Sequence, residues 1–479
     1  MYSIAVKNLV YNSFGALING LVLIVAAPIY LSIGGPELLG QVGFWMATMM
    51  LFQFLDFGSS ITFTRALSQG SSLSDLKAIE KVNLISIASL VCLSLVTLLT
   101  QVYFKLDLSS MFMSFNPAAL FLAIAVQLLF YFYSQGLIGI QDHRGFSLTL
   151  AAFSTLKHFI AIALLSVGSS FNLVLIVQFI LMAIIAVGLR WSIYQRAPRI
   201  LSGAQNKDAR GNLKYSLVIM SGALISGGLA TSDRFLATSL FSSYEAGTYL
   251  ASFIVAGALS LIPLPFYRVY FPMFAASFKS NNMVKVLNDL LVSSALVTSI
   301  TAIVGGILFL NAEVILFYWA DISDPGAAKV IKLLLISFGL ISFGWMPATL
   351  LQAAGFQNMQ SLQMMSAIVI GCALVLIVHP ILGIASVAAI WMLHGVIQIC
   401  VCPIITFNSI GLTGITKWYL YSLAVPVVIV FVLLALVYIG GPSISNLTSS
   451  IAYFLSIILL FVVAYLIFRE KISPTVNAK

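Results

Sequence analysis

A lysine in the middle of an apolar stretch is the residue of this sequence most in need of a chemical explanation. Lys157 follows Leu156 and precedes His158 inside an apolar run over 147–168. About ten residues of ~1.5 Å rise separate it from either end of that run, so snorkelling does not easily rescue its ammonium. A charge at the centre of a bilayer costs at least about 2.5–3.5 kcal/mol and therefore faces a cavity or a partner. Facing a cavity, Lys157 would hold an anion through charge-assisted hydrogen bonds. The alternative is a structural ion pair with a carboxylate such as Asp56 or Asp233. His158 points ~100° away round the helix and is a candidate for coupling to a proton, or else a hydrogen-bonded packing residue.

Further charges stand in or beside apolar runs. Asp56 precedes Gly58 in the inner part of the second run. It is either a proton or cation site or a packing residue beside a glycine that permits close helix approach. Arg65, at the inward end of the same run, can meet an anion arriving from the cytoplasm or simply mark the basic inner boundary. Asp233 and Arg234 are neighbours in the outer third of the seventh run. Their side chains diverge by ~100°, so one can face a cavity while the other does not. Arg268 follows Pro263 and Pro265, which loosen the hydrogen-bond ladder and can bend it into an inward vestibule, an interfacial anchor being the alternative. Gln127, Tyr131 and Gln135 recur at i, i+4 spacing and so share one helix face suited to sugar hydroxyls or lining water. Tyr133, Tyr267 and Tyr270 offer rings as well, although tyrosine also populates membrane interfaces.

Other chemistries find no support. Cys400 and Cys402 sit roughly 200° apart on a helix and cannot chelate from one face, so no metal site is expected. No phosphate-binding loop with its lysine is present, so no nucleotide hydrolysis and no cofactor are expected. The stretch 75–82 reads as a short amphipathic interfacial helix.

The elements that carry these residues are membrane spans. Of 479 residues 61% are apolar and 8% charged, with mean hydropathy +1.08. That excludes a soluble enzyme, a nucleic-acid module and a disordered chain. Apolar runs fall at 9–32, 41–64, 81–103, 117–139, 147–168, 171–193, 215–238, 246–268, 290–311, 329–352, 361–384, 386–407, 418–440 and 449–468. Each is long enough to cross a ~30 Å hydrocarbon core. Backbone groups in lipid must bond internally, so the expected fold is all-α, a polytopic bundle of about fourteen helices. All but five of the 23 lysines and arginines (Lys105, Lys157, Arg234, Lys329 and Lys332) fall in segments that are inward when the N-terminus is inside. Both termini are therefore expected in the cytoplasm, with the first run kept as a helix rather than cleaved as a signal.

A faint repeat divides the bundle. Gly15-Ala16-Leu17-Ile18-Asn19-Gly20 matches Gly222-Ala223-Leu224-Ile225-Ser226-Gly227 at an offset of 207, and Gly40 maps onto Gly247 in the same register. Two parallel six-helix lobes around a central cavity are expected. The first is 1–193, the second 214–410, with a basic linker at 194–213 and a C-terminal helix pair with its tail at 411–479.

Two stretches carry a family likeness. Gly35-Pro36-Glu37-Leu38-Leu39-Gly40 is followed by Asp56-Phe57-Gly58 and Arg65. Asp233-Arg234 is followed by Tyr244-Glu245-Ala246-Gly247-Thr248-Tyr249, Pro263-Leu264-Pro265 and Pro272. Together they resemble the polysaccharide-transport family of the multidrug/oligosaccharidyl-lipid/polysaccharide (MOP) exporter superfamily, which includes Wzx-type O-antigen flippases. The resemblance implies a non-enzymatic flippase of a bacterial inner membrane. It would move a polyprenyl-pyrophosphate-linked oligosaccharide, an O-antigen or exopolysaccharide unit, to the outer leaflet. Its partners would be membrane lipids and the polymerase and chain-length proteins of the same pathway, with no nucleic acid. Lys157, Arg65, Arg234 and Arg268 would be the cavity cations, with Asp56, Asp233 and His158 as coupling candidates. The last helix pair departs from twelve-helix members. Two other readings are a membrane polymerase or ligase of the same pathway, and a drug/cation antiporter of the same superfamily. The short outward loops weigh against the first, and Lys157 weighs against the second.

Overall fold

The computed structural model describes residues 2–52, 56, 58–68, 73–104, 116–200, 225, 227–228, 231–279 and 282–440. Among them every regular element is helical, and ten helical stretches are long and apolar enough to cross a membrane. The protein is an all-α multi-pass membrane bundle. The count of fourteen is not reached among the described residues. The run 449–468 and most of 215–238 lie outside them, and one stretch, Asn358–Ile410, takes in the two runs expected at 361–384 and 386–407.

Contacts divide the chain into two compact units. The first comprises 1–258, 313–334 and 361–394, the second 259–312, 335–360 and 395–479. This is a division by contact, whereas 1–193 and 214–410 is a division by repeat. The first unit accordingly takes in 231–258 along with the helices before residue 200.

In the first unit, α1 (Tyr2–Phe52) is broken at Gly34 and Gly35, where φ is −143° and +66°, and its second arm starts at Pro36. Proline suits a helix start because its missing N–H would be unpaired there. The second apolar run is not one helix. The chain breaks again at Gly58 (φ +71°) and resumes as α2 (Ser59–Ser68). The segment 75–82 is no separate interfacial helix but the first turns of α3 (Leu73–Phe104). α4 (Pro117–Gly139) starts where Asn116 caps the amides of Ala118 and Ala119 ahead of Pro117. α5 (His143–Ser166) is capped by Asp142, and α6 (Phe171–Ile200) runs seven residues past the lobe boundary expected at 193. A helix over 231–240, α7, leads through the Ser242/Glu245 capping box into α8 (Ser243–Gly257). Phe63, Phe132 and Tyr133 centre the core of α2 and α4, Phe63 stacking on Phe132 at 4.4 Å.

The second arm of α1 packs against α8 through glycines. A Cβ on Gly40 would stand 2.6 Å from the Ser243 carbonyl oxygen, and one on Gly247 would collide with that of Pro36. The two contacts are equivalent, because Pro36 and Ser243, like Gly40 and Gly247, are 207 positions apart.

In the second unit, the run 246–268 is interrupted. A 3-10 turn (Ala258–Leu261) follows α8, and Pro263 opens α9 (Pro263–Lys279) rather than bending a continuous helix. α10 (Met283–Leu310) follows, and α11 (Ala312–Ala320) and the first half of α12 (Pro325–Phe343) return to the first unit. The turn before α12 is closed by the Asp324 carboxylate, which accepts from the Gly326 amide at 2.9 Å. α13 (Trp345–Ala353), α14 (Gln357–Leu382), α15 (Ala389–Val396), α16 (Cys402–Ile410), α17 (Ile415–Lys417, continued as a π-helix to Ala424) and α18 (Val425–Gly440) complete the described chain. Trp418 is fully buried in the second unit's core with Phe274, Leu290 and Met346, and its indole N–H donates to Ser294 Oγ at 2.9 Å.

Candidate substrate cavity

The first unit holds a cavity of about 310 Å³, walled by α1, α4, α5, α6 and α7. A volume of this size suits a compact ligand or part of a larger one. Lys157 of α5 and Arg234 of α7 both line it, with Gln127 and Tyr131 of α4 and Gln178 of α6. Met46, Met49, Met50 and Met182 supply an apolar, adaptable part of the wall.

Lys157 meets aromatic faces and no acid. Its Nζ lies 5.4 Å from the Trp45 ring centroid and 6.0 Å from that of Phe153. No described carboxylate lies within ion-pair distance of it, so neither Asp56 nor Asp233 neutralises it. Arg234 lies over the Phe253 ring at 4.7 Å, and its buried Nε has no hydrogen-bond partner. Two glutamines are oriented by the backbone: Gln127 Nε2 donates to the Met49 carbonyl and Gln178 Nε2 to that of Lys157, each at 3.0 Å.

The remaining sequence candidates are dispersed. His158 lines the cavity but is 3% exposed, with Nδ1 3.0 Å from the Tyr30 hydroxyl and its ring edge-on to Trp45. Asp56 caps α2, where Oδ1 accepts from the Gly58 amide at 2.8 Å and Oδ2 from that of Ser60 at 3.0 Å. Asp233 is fully buried, and its Oδ2 accepts from Tyr249 and from Trp391 Nε1, both at 2.9 Å. It forms no ion pair with Arg234, as the ~100° divergence of helix neighbours allows. Gln135 does not line the cavity; its carbonyl accepts from Thr64 Oγ1 at 2.9 Å and its side chain bonds Tyr131. Arg65 is on α2, but its side chain lies outside the described residues. Arg268 is half-buried on α9 and belongs to the second unit, not to this cavity's wall.

Two features escaped the sequence. Trp45 and Gln178 line the cavity; a lone glutamine in an apolar run was a visible signal, and a tryptophan there was not. Glu80, 6% exposed, gathers Tyr133, Tyr194 (2.6 Å) and Arg190 Nε (2.7 Å), joining α3 to α4 and α6. Its position in an apparently solvated amphipathic stretch concealed it.

No family model matches the chain, and no curated protein matches it. Solved structures do share its fold. A mutant of the Vibrio cholerae MATE transporter VcmN is 15% identical at TM-score 0.59, over 86% of this chain and 98% of that one. A MOP-superfamily transporter from Pyrococcus furiosus is 16% identical at TM-score 0.57, over 85% and 95%. An outward-facing multidrug-resistance MATE transporter of that superfamily is 15% identical at TM-score 0.56, over 86% and 96%. The architecture is thus the one these membrane transporters share. Within it, the chain is similar to MATE transporters of the MOP superfamily in fold alone.

Proposed function

We propose that this chain is a membrane transporter that carries a polyprenyl-pyrophosphate-linked oligosaccharide to the outer leaflet of a bacterial inner membrane by alternating access. One observation carries the reading: Lys157 and Arg234 line a single cavity to which no carboxylate contributes. Two fixed cations in a low-dielectric chamber attract an anionic head group and repel a cationic one. The diphosphate binds the cations, the glycan meets Gln127, Tyr131 and Gln178, and the polyprenyl tail stays in lipid. Rocking of the two repeat-related halves then releases the head group outward. Asp233, one oxygen of which has no hydrogen-bond partner, is better placed than Asp56 to take a coupling proton or cation. Both termini lie in the cytoplasm in this reading, and the pathway's polymerase and chain-length proteins receive the product.

The second reading, a drug/cation antiporter, is favoured by the fold, since one similar structure is of a multidrug-resistance MATE transporter. The cavity's charge favours the first. Among the similar structures, the Pyrococcus furiosus transporter is described as having a binding pocket of reversed polarity that suggests a different function.

The test is reconstitution in liposomes with lipid-linked glycan on one side and, separately, a cationic dye. Glycan translocation without dye antiport is expected. Lys157→Ala should cut translocation at least ~10-fold, the scale of one lost charge-assisted contact, while inserting normally, and Lys157→Arg should keep part of it. Full activity of the alanine protein would remove Lys157 from the mechanism, and dye antiport alone would establish the second reading.

A further inference from the structure

Trp45 is on the second arm of α1, lines the cavity and is 3% exposed. Its ring is fixed by packing, edge-on to Phe171 at 5.8 Å and to His158 at 6.2 Å, with Lys157 Nζ at 5.4 Å. His158 is held in turn by Tyr30. None of these contacts uses the indole N–H, and Nε1 has no hydrogen-bond partner. Other indoles of this protein donate theirs: Trp319 to the Ile24 carbonyl, Trp391 to Asp233 and Trp418 to Ser294. A buried donor without a partner is unfavourable, and the exceptions in a folded protein call for a reason. Arg234 Nε is in the same condition on the same cavity. Three residues of the wall thus bring an ammonium and two buried, unpartnered N–H groups, with no acid among them. Its complement is an anion with several acceptor oxygens.

We infer that Trp45 is a binding residue for that anion: its ring positions the Lys157 ammonium, and its indole N–H donates to an oxygen of the diphosphate. This rests on the proposed function and adds to it a neutral donor beside the two cations. A cation fixes charge, whereas a directed N–H fixes the orientation of the phosphate group. Cation–π attraction to the ring holds Lys157 without neutralising it, as a carboxylate would.

The experiment uses the full chain in nanodiscs and two probes, inorganic pyrophosphate and polyprenyl diphosphate built into the disc, each titrated by calorimetry. A second measurement follows the indole N–H signals by NMR after ¹⁵N labelling of tryptophan. Trp45→Phe keeps an aromatic face and removes the donor together with part of the indole ring. It should bind both probes roughly 10-fold more weakly, the scale of a hydrogen bond to a charged group, and still unfold cooperatively, with a thermal midpoint lowered by the lost ring volume. Trp45→Ala should lose more. The resonance missing from Trp45→Phe should move downfield when pyrophosphate is added to the unaltered protein. If that resonance does not move, or Trp45→Phe binds as the unaltered protein does, the inference fails while Lys157→Ala still tests the proposed function. If the unaltered protein binds neither probe, both fail.

Discussion

Glu80 shows how a membrane protein makes one carboxylate join three helices. Its oxygens receive two tyrosine hydroxyls and one arginine Nε, while Arg190 itself remains 56% exposed. The exposed cation is screened, so the hydroxyls carry more of the stabilisation than the charge pair does. Glu80→Ala is accordingly expected to destabilise the protein by about 2–3 kcal/mol. Arg190→Ala should cost about 1 kcal/mol or less. Thermal unfolding of the purified variants in detergent measures both, and a larger drop for Arg190→Ala would reverse the assignment. The residues that could be read from sequence were those that hydropathy makes conspicuous. Lys157 and Arg234 are charges in apolar runs, and both line the cavity. Trp45 carries no charge to mark it, and what distinguishes it is an N–H with no partner, which only the folded structure reveals. Asp56 was equally conspicuous, yet its oxygens satisfy the first amides of α2.

At the scale of the element, the crossing of α1 and α8 depends on two hydrogens where other residues carry a side chain. Gly247→Ala must push the Pro36 carbonyl away, and overpacking of this kind costs about 1–3 kcal/mol. Gly188 on α6 has nothing within 4 Å of a built Cβ, so Gly188→Ala should be neutral or slightly stabilising through helix propensity. Comparing the two melting temperatures checks the close approach, and equal values would refute it. Helix ends were legible where a cap announces them. Asn116-Pro117 starts α4 at the expected residue, whereas α3 and α5 begin earlier than their apolar runs because polar first turns belong to the helix. The break at Gly58 was not legible, since hydropathy continues across it, whereas Pro263 and Pro265 were visible but read as a bend rather than as the start of a new helix.

For the whole molecule, the charge distribution makes a prediction independent of any site. Eighteen of the 23 basic side chains fall in segments read as inward, so fluorescent-protein fusions at either end should be bright and periplasmic alkaline-phosphatase fusions inactive. An active phosphatase at one end would mean an odd number of spans. The all-helical bundle was legible because lipid leaves a chain of this composition few alternatives. The compact units were not, because they form by contacts between segments far apart in sequence and cut through α12.

The interruption at Gly34 and Gly35 has a mechanical corollary. Tyr30 lies just before it and Trp45 beyond it, and they grip the adjacent residues His158 and Lys157. A pivot at that joint would therefore strain the Tyr30–His158 hydrogen bond on one limb or the Trp45–Lys157 contact on the other. Lys157 is thus tied to the second limb through Trp45 and, through its neighbour His158, to the first.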